Sequence, residues 1–290
     1  MAGSGNMQDI KRHIRGITSI EHITNAMKLV SAAKLRRAKA TFEKTQEYFH
    51  FVTESIQEIF NNNNDVPYKY LKHDQREIKK TGYVIITSNK GLAGSFNSNV
   101  IKKAEEVMKS ETEDQCLVAI GGRGKDYFSR RGYDIVSEYM RPPESISFIE
   151  TQNISQPIID MYDEEKIDKV VLIYTSFISP LEQRVVAKTL LPFEIEQDPD
   201  IAPLEREVEY EPSTDEVFNY LVPKYVEIMV YNAIVESATC EHAARRIAME
   251  NATENAQEAI EELNLTFNRA RQAAITSEIT EIVSGADALE

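Results

Sequence analysis

The chain contains 290 residues and carries a formal net charge of −14, with a mean hydropathy of −0.40. No apolar run is long enough to cross a bilayer, and the strongly negative charge argues against a nucleic-acid-binding protein. The first residues lack the build of a signal peptide, so Cys116 and Cys240 are expected to be reduced and buried. No histidine lies at metal-ligand spacing from cysteine or carboxylate side chains, so no metal site is predicted.

Both ends of the chain are predicted to form single long helices. From Met7 to Phe60 there is no proline and the only glycine is Gly16, and from Lys224 to Ser284 there is neither residue. A helix over residues 7–60 would reach roughly 80 Å and needs a partner along its apolar stripe. The simplest partner for each end is the other end, so residues 7–55 and 224–284 are predicted to pair as an antiparallel coiled coil.

Apolar residues at steps of three and four mark the faces expected to meet in this pair. In the N-terminal helix they are Ile10, Ile14, Ile17, Ile20, Ile23, Met27 and Val30. In the C-terminal helix they are Val226, Val230, Ala233, Ala244, Ala248, Ala252, Ala256, Ile260, Leu263, Phe267, Ala270 and Ala274. Packing into an ordinary helical bundle is the alternative, but no third long helix is available to complete one.

Charge is divided unevenly along the chain. Residues 7–44 hold nine Lys/Arg against three Asp/Glu, a local +6, whereas residues 221–290 hold five against twelve, a local −7. Opposite charges flanking a seam help to set the direction of a helix pair. The densest basic patch is Lys34, Arg36, Arg37 and Lys39. It is either a solvated helix face or a surface that meets an acidic protein; a nucleic-acid clamp is a weaker alternative, because no aromatic residues or recognition motif accompany it.

The middle of the chain is predicted to be an α/β domain with a mostly parallel, buried sheet. Runs rich in branched apolar residues alternate with helix-length stretches at about 96–110, 123–131 and 151–163. The runs are Tyr83–Thr87, Cys116–Ile120 and Lys169–Tyr174, and the alternating segment Glu182–Leu191 is a candidate edge strand. Residues 192–213 contain four prolines and many acids, which is typical of an extended linker.

The predicted fold class is therefore α/β, with a long antiparallel coiled coil formed by the N- and C-terminal helices plus a central Rossmann-like α/β domain. Three parts follow from this prediction. Residues 7–60 form the N-terminal coiled-coil helix, residues 61–213 the central domain with its acidic linker, and residues 214–290 the C-terminal coiled-coil helix.

Two glycine-containing loops follow predicted strands, and both invite a nucleotide-binding interpretation. The first, Ser88–Asn97, lacks the Gly-Lys-Ser/Thr ending that places a phosphate-binding lysine. The second, Gly121–Lys125, lacks the glycine spacing of a dinucleotide-binding loop. Tight turns joining strand to helix are the simpler interpretation. With no Ser/His/Asp arrangement and no catalytic carboxylate pair, the chain is predicted to have no cofactor and to perform no chemistry of its own.

Three long segments carry a resemblance to a known family. They are MQDIKRHIRGITSIEHITNAMKLVSAAKLRRAK from Met7, TSNKGLAGSFN at Thr87–Asn97, and EHAARRIAMENATENAQEAIEELNLTFNRARQAAITSEITEIVSGADAL from Glu241. They resemble the gamma subunit of F-type ATP synthases, of the bacterial type. In that family the central loop is usually Thr-Ser-Asp-Arg-Gly-Leu-Cys-Gly-Gly-Phe-Asn, so this chain departs from it at Asn89, Lys90, Ala93 and Ser95.

The resemblance implies that the coiled coil is the central rotor shaft, which transmits torque between an ion-driven membrane c-ring and the alpha/beta hexamer. Catalysis then belongs to the beta subunit, and the expected partners are alpha, beta, epsilon and the c-ring, with no nucleic acid. The protein is expected to be peripheral to the membrane, on the cytoplasmic face of a bacterial cell membrane. The implied beta contacts are Met27, Lys28, Arg271, Gln272, Thr276 and Glu278, and the basic patch gains an acidic partner.

Two other classes of protein stay open at this point. One is a nucleotide-using α/β enzyme with helical arms, which would bind or turn over a nucleotide without other subunits. The other is a coiled-coil adaptor, which would not recover ATP synthase subunits from a membrane extract.

Overall fold

The computed structural model describes residues 2–62, 70, 78–110, 114–142, 145–193, 211 and 213–287. Within it the chain divides into two compact units, unit 1 with Met1–Ala32 and Arg245–Glu290, and unit 2 with Ala33–Ala244. Two long helices, α1 (Ala2–Asn62) and α5 (Thr214–Asp287), contribute to both units, which confirms the helices predicted at the two ends. The three-part division at residues 61 and 213 stays a prediction.

Unit 1 is an antiparallel pair formed by the first part of α1 and the last part of α5. The Thr253 hydroxyl donates a hydrogen bond of 2.8 Å to the Thr24 hydroxyl, and the Gln257 amide lies 3.4 Å from the Glu21 carboxylate. Since the earlier residue of α1 meets the later residue of α5, the two helices run in opposite directions, as predicted.

The seam of α1 in unit 1 differs from the predicted one. Ile20, Ile23 and Val30 are 54%, 56% and 57% exposed, so their assignment to the seam is wrong. Three residues advance a helix by about 300°, and the two consecutive steps of three from Ile17 to Ile23 carry that stripe away from the partner. The seam is formed instead by buried and half-buried positions that alternate steps of four and three: Ile10, Ile14, Ile17, Glu21, Thr24, Lys28 and Ser31.

On α5, the predicted stripe is confirmed for most of unit 1. From Ala256 onward, the predicted positions are buried or half-buried through Ala274. The fully buried positions before Ala256 are Arg245, Met249 and Thr253, so the seam uses residues beside Ala248 and Ala252, which are half-buried. The contact between Thr24 and Thr253 replaces an apolar pair at this level of the seam.

The register of unit 1 can be tested by cross-linking. A variant with Thr24→Cys and Thr253→Cys is expected to form a disulfide readily, because the hydroxyl groups that the sulfurs replace lie 2.8 Å apart. In the control variant, Ile23→Cys with Thr253→Cys, the exposed Ile23 position should stay unlinked. Free thiols counted before and after mild oxidation distinguish the two. Equal cross-linking of both variants, or of neither, would contradict this register.

Within its described residues, unit 2 contains a five-stranded sheet. The strands are β1 Lys80–Ile86, β2 Asp114–Ile120, β3 Ile135–Tyr139, β4 Lys169–Phe177 and β5 Gln183–Leu191. Their order in the sheet is β3-β2-β1-β4-β5. The strands β1 to β4 are parallel and β5 is antiparallel at the edge, which confirms the mostly parallel sheet and the predicted edge strand. The sequence did not predict β3.

Helices cover both faces of this sheet. The shorter helices are α2 (Phe96–Ser110), α3 (Gly122–Ser129) and α4 (Phe148–Asp163), close to the three predicted stretches. Side chains alternate along β1, so Val84 and Ile86 pack with α4 and α5 while Tyr83 and Ile85 pack with α2 and α3. This three-layer arrangement confirms the Rossmann-like domain. The predicted linker over 192–213 lies mostly outside the described residues.

Candidate functional site

The predicted contact residues Met27 and Lys28 lie in unit 1, at the edge of the seam. Both side chains are half-buried, which suits a lysine whose aliphatic stem packs while its ammonium group reaches water. Ile20, Ile23 and Val30 share one helix face with Met27, since the four residues are separated by steps of three and four. We call Ile20, Ile23, Met27 and Val30 the outer stripe. Because three of its members are exposed, the outer stripe leaves apolar surface uncovered on unit 1. A helix pair without a further partner does not need such a surface.

The second predicted contact set lies near the end of α5. Arg271, Gln272, Thr276 and Glu278 are all exposed, and the Thr276 hydroxyl donates to the Gln272 carbonyl at 2.9 Å. The register set by Thr24 and Thr253 places Ala2 opposite about residue 275, so α5 continues without α1 beside it. On that last stretch Ile275, Ile279, Ile282 and Val283 are 44–67% exposed. This segment, the α5 tip (residues 271–283), mixes polar and apolar side chains.

The structure does not bring these two sets together. Thr253 faces Thr24, close to Met27, whereas Arg271 lies 18 residues farther along α5 (271 − 253). At 1.5 Å per residue this separation is about 27 Å. A partner that contacts both sets must therefore be large, or two different segments must contact them.

The basic patch lies on α1 within unit 2, and all four of its side chains are exposed. Lys34 and Arg37 border a cavity of about 280 Å³ whose apolar walls include Ile146 and Val235. Arg36 and Lys39 do not line that cavity, and the Lys39 ammonium lies 3.6 Å from the Glu43 carboxylate. The basic patch therefore occupies two faces of α1. Lys34 and Arg37 lie on the face that borders the apolar cavity, and Arg36 and Lys39 lie on the other face.

The glycine loop that begins α3 is closed by the loop after β1. The amide of Gly122 donates to Asn89 Oδ1 at 2.8 Å, that of Arg123 to the Ser88 carbonyl at 3.1 Å, and that of Gly124 to Thr87 Oγ1 at 2.8 Å. These are the helix N-terminal amides that a phosphate group would need. Because the neighbouring loop already satisfies them, both loops serve as tight turns.

Gly121 is required for this closure. Its φ of +96° lies in the region that favours glycine, and a Cβ there would sit 2.1 Å from the Thr87 carbonyl oxygen. Asn89, one departure from the family motif, also donates its amide to the Met140 carbonyl at 2.8 Å. An aspartate could accept from Gly122 but could not make that second bond.

The usual ligand crevice of the sheet is filled by α5. Strand order reverses between β1 and β4, and doubly wound sheets bind ligands at the carboxyl ends of such strands. Here Cys240 of α5 packs against Ala93 and Phe96 with Phe177, and its sulfur lies 3.5 Å from the Thr175 carbonyl. Protein side chains thus take the place that a nucleotide occupies in related sheets.

Beside this crevice, Glu236 is a buried carboxylate, 6% exposed, that fixes α5 to the end of β4. One of its oxygens accepts hydrogen bonds of 2.8 Å from the Ser176 hydroxyl and from the Phe177 amide. Burial raises the pKa of Glu236, while these bonds and one from Tyr174 act in the opposite direction. Burial also raises the pKa of Cys240, so its thiol is protonated and unreactive. Both cysteines are buried and free, as predicted.

Sequence reasoning missed the exposure of the outer stripe, the role of Glu236 and the pairing of the two glycine loops. For Glu236 a signal existed, since it interrupts a buried, mostly apolar stretch of α5.

Within the residues that the structure describes, no cluster of side chains could hold a metal ion. Over the same residues, none of the helices has a stretch apolar enough and long enough to span a membrane.

The antiparallel pair of long helices in unit 1 and the Rossmann-like sheet in unit 2 define a coiled-coil protein with an α/β domain. A family model described as ATP synthase matches residues 6–289. The ATP synthase gamma chain of Alkaliphilus metalliredigens is 44% identical over 288 residues, covering 98% of this chain and 99% of that relative. The chain belongs to the ATP synthase gamma chain family.

Solved structures agree with this assignment. A chain in the central stalk and c-ring structure of the Tetrahymena thermophila mitochondrial ATP synthase is 28% identical, with a TM-score of 0.63 over 79% of this chain and 99% of that one. A chain of the Euglena gracilis mitochondrial ATP synthase gives a TM-score of 0.74 at 18% identity, covering 99% of this chain and 95% of that one, and shows the fold alone.

The function is therefore that of a rotor stalk subunit of ATP synthase. ATP synthesis and ion transport follow from the complex, whose catalytic sites are on the beta subunit, so the chain is not itself an enzyme. The nucleotide-using enzyme and the coiled-coil adaptor are set aside.

Proposed function

We propose that the chain carries torque from the c-ring to the alpha/beta hexamer through direct side-chain contacts with beta, and that epsilon and the c-ring are its other partners. In this assembly it is peripheral, on the cytoplasmic face of a bacterial cell membrane. Met27 and Lys28 lie beside an acidic loop of beta, and Arg271, Gln272, Thr276 and Glu278 contact beta loops near the end of α5.

The outer stripe is the observation that carries this proposal. A free helix pair gains nothing from isoleucine and valine side chains that are more than half exposed, whereas burial against a partner stabilises each by about 1 kcal/mol or more. Lys28 stands next to Met27 and supplies a positive charge beside the apolar surface. An apolar surface with a lysine at its edge suits a partner loop that carries both apolar and acidic residues.

The α5 tip supports a second contact. Its exposed isoleucines suit an apolar partner surface, and Arg271 can form a forked, charge-assisted pair of hydrogen bonds. Gln272 and Glu278 add an amide and a carboxylate on neighbouring faces of the same exposed helix. The side chains of the α5 tip are exposed on the free chain. Their contacts with beta can therefore form and break as the shaft turns.

The outer stripe can be tested with Ile20→Gln and Ile23→Gln together. Glutamine forms helices well, and both positions are exposed, so the melting temperature of the free chain should hardly change. Loss of two apolar contacts of about 1 kcal/mol each should raise the dissociation constant for alpha and beta about thirtyfold. The matched control is Ile178→Gln with Leu181→Gln, which removes two exposed apolar side chains from the connection after β4. Equal binding by both variants would refute contact through the outer stripe.

The basic patch is expected to act on coupling rather than on stability. Replacing Lys34, Arg36, Arg37 and Lys39 with glutamine removes exposed charges, whose ion pairs are worth at most about 1 kcal/mol each. The free chain should therefore stay folded, while ATP turnover in the reconstituted complex becomes less dependent on ion flow. Turnover and ion flow measured together in vesicles test this. Unchanged coupling would return the patch to the role of a solvated helix face.

A further inference from the structure

The outer helical layer of unit 2 contains a cleft that lies outside the contacts proposed with beta. It lies between α2 and α3, on the sheet face opposite α4 and α5, and its volume is about 450 Å³. This volume falls within the range of small-molecule pockets. Its walls include Lys102 of α2 and, from α3 and the turn that follows it, Arg123, Arg130 and Arg131.

The neutral hydrogen-bonding groups around the cleft are already occupied. The Asn97 amide group exchanges hydrogen bonds with Ser88, the Ser98 hydroxyl donates to the Ser95 carbonyl, and the Tyr127 hydroxyl donates to Glu105. The hydrogen-bond donors that are left for a ligand therefore belong mainly to lysine and arginine side chains.

Among the residues that the structure describes, three of these four cationic side chains have no hydrogen-bond or ion-pair partner. Arg131 stacks 3.6 Å from the centre of the Tyr127 ring and lies 3.8 Å from the Glu105 carboxylate, so its charge is balanced. The side chains of Lys102, Arg123 and Arg130 make no hydrogen bond or ion pair with any residue that the structure describes. Asp126 is the single carboxylate in the lining, which leaves a local charge of +2 (three cations minus one anion).

This excess is unusual in a chain whose net charge is −14. Cations converging from two helices on one concavity repel one another and gain free energy when an anion lies between them. Arginine side chains in particular suit the planar, two-oxygen face of a phosphate group. We propose that the cleft between α2 and α3 binds a small polyvalent phosphate anion, through Lys102, Arg123 and Arg130.

The proposed site borders the two glycine loops, which supply Asn97 and Arg123 to its lining. It does not use the backbone amides of Gly122, Arg123 and Gly124, because these already bond to the loop after β1. The site is independent of the contacts proposed with beta, since none of its residues belongs to the outer stripe, the α5 tip or the basic patch. Only Ile101 and the edge of Tyr127 add apolar surface, so the phosphate groups should supply most of the affinity.

The test is titration calorimetry of the full-length chain with inorganic phosphate and with pyrophosphate, at low and at moderate salt. Pyrophosphate should bind more tightly than phosphate, since it carries more charge, and added salt should weaken its binding. A variant with Lys102→Gln and Arg130→Gln should lose about tenfold in affinity. The control, Arg15→Gln with Lys44→Gln, removes the same charge from exposed positions of α1 outside the basic patch and should change affinity less than twofold.

Two results would overturn the proposal. Equal losses in both variants would show that pyrophosphate senses only the total charge of the chain. A synthetic peptide of ten glutamates that binds to the cleft more tightly than pyrophosphate, and loses affinity in the Lys102→Gln, Arg130→Gln variant, would make the cleft a protein-docking surface instead. Circular dichroism of both variants excludes unfolding as the cause of a loss.

Discussion

Changing Arg271 and Gln272 together to leucine is expected to slow ATP turnover by the reconstituted complex about tenfold or more. Charge-assisted hydrogen bonds are worth about 1.5–3 kcal/mol, and leucine can form none of them. Both side chains are exposed at the α5 tip, so the melting temperature of the free chain should change little. The measurement is ATPase rate at saturating ATP beside the melting temperature of the free chain.

Arg271 offers a positive charge and a fork of hydrogen-bond donors, and a conservative variant separates the effects of the two. Arg271→Lys keeps the charge but loses the fork, so turnover should fall between that of the wild type and that of the double variant. If the double variant turned over ATP at the normal rate, or if its loss matched a loss of folded protein, these residues would have no role in contacting beta.

Glu236→Leu is expected to cause the largest loss of stability of any single change considered, about 3 kcal/mol or more. Leucine removes the acceptor for the Ser176 hydroxyl, the Phe177 amide and the Tyr174 hydroxyl, and each orphaned donor costs about 1–3 kcal/mol. Glu236→Gln keeps an acceptor oxygen for the Ser176 hydroxyl and the Phe177 amide, so it should cost far less. Denaturant unfolding of the two variants beside the wild type checks this order, and equal losses would contradict it.

The pH dependence of the Glu236→Gln variant gives an independent check. Burial raises the folded-state pKa of Glu236 above its unfolded-state value, so the protonated form favours folding. Its contribution to stability is complete below the unfolded-state pKa and is lost as pH rises through the folded-state pKa. Relative to Glu236→Gln, the wild type should therefore lose stability as pH rises above the unfolded-state pKa of glutamate, about 4.3. A difference that does not change with pH would show that the carboxyl group has no raised pKa.

Most of the sheet was predictable because its strands are buried on both faces. In β1, β2 and β4 this burial selects continuous runs of branched apolar residues, which are visible without knowledge of the partner strands. β3 escaped prediction because Ile135–Tyr139 is a short edge strand that alternates half-buried and exposed side chains. The start of α4 did carry a signal, the capping box formed by Ser147 and Glu150.

The seam was harder to predict because hydrophobicity does not identify it uniquely. On α1 the outer stripe is more apolar than the true seam, where Glu21, Thr24 and Ser31 face α5. A strict alternation of steps of four and three would have selected the true seam, with the outer stripe left for a partner. Individual contact residues such as Arg271 cannot be derived from periodicity at all, because exposure on a helix does not specify a partner.

A rotor stalk must turn relative to alpha and beta, and a single-molecule optical assay observes this rotation. Leu181 is 83% exposed, and Cys116 and Cys240 are buried, so a Leu181→Cys variant offers one accessible thiol for a bead. With alpha and beta immobilised and ATP added, the bead should rotate continuously in one direction and stop when ATP is exhausted. A bead that stays in place while the same complexes hydrolyse ATP would show that this chain is not the rotor.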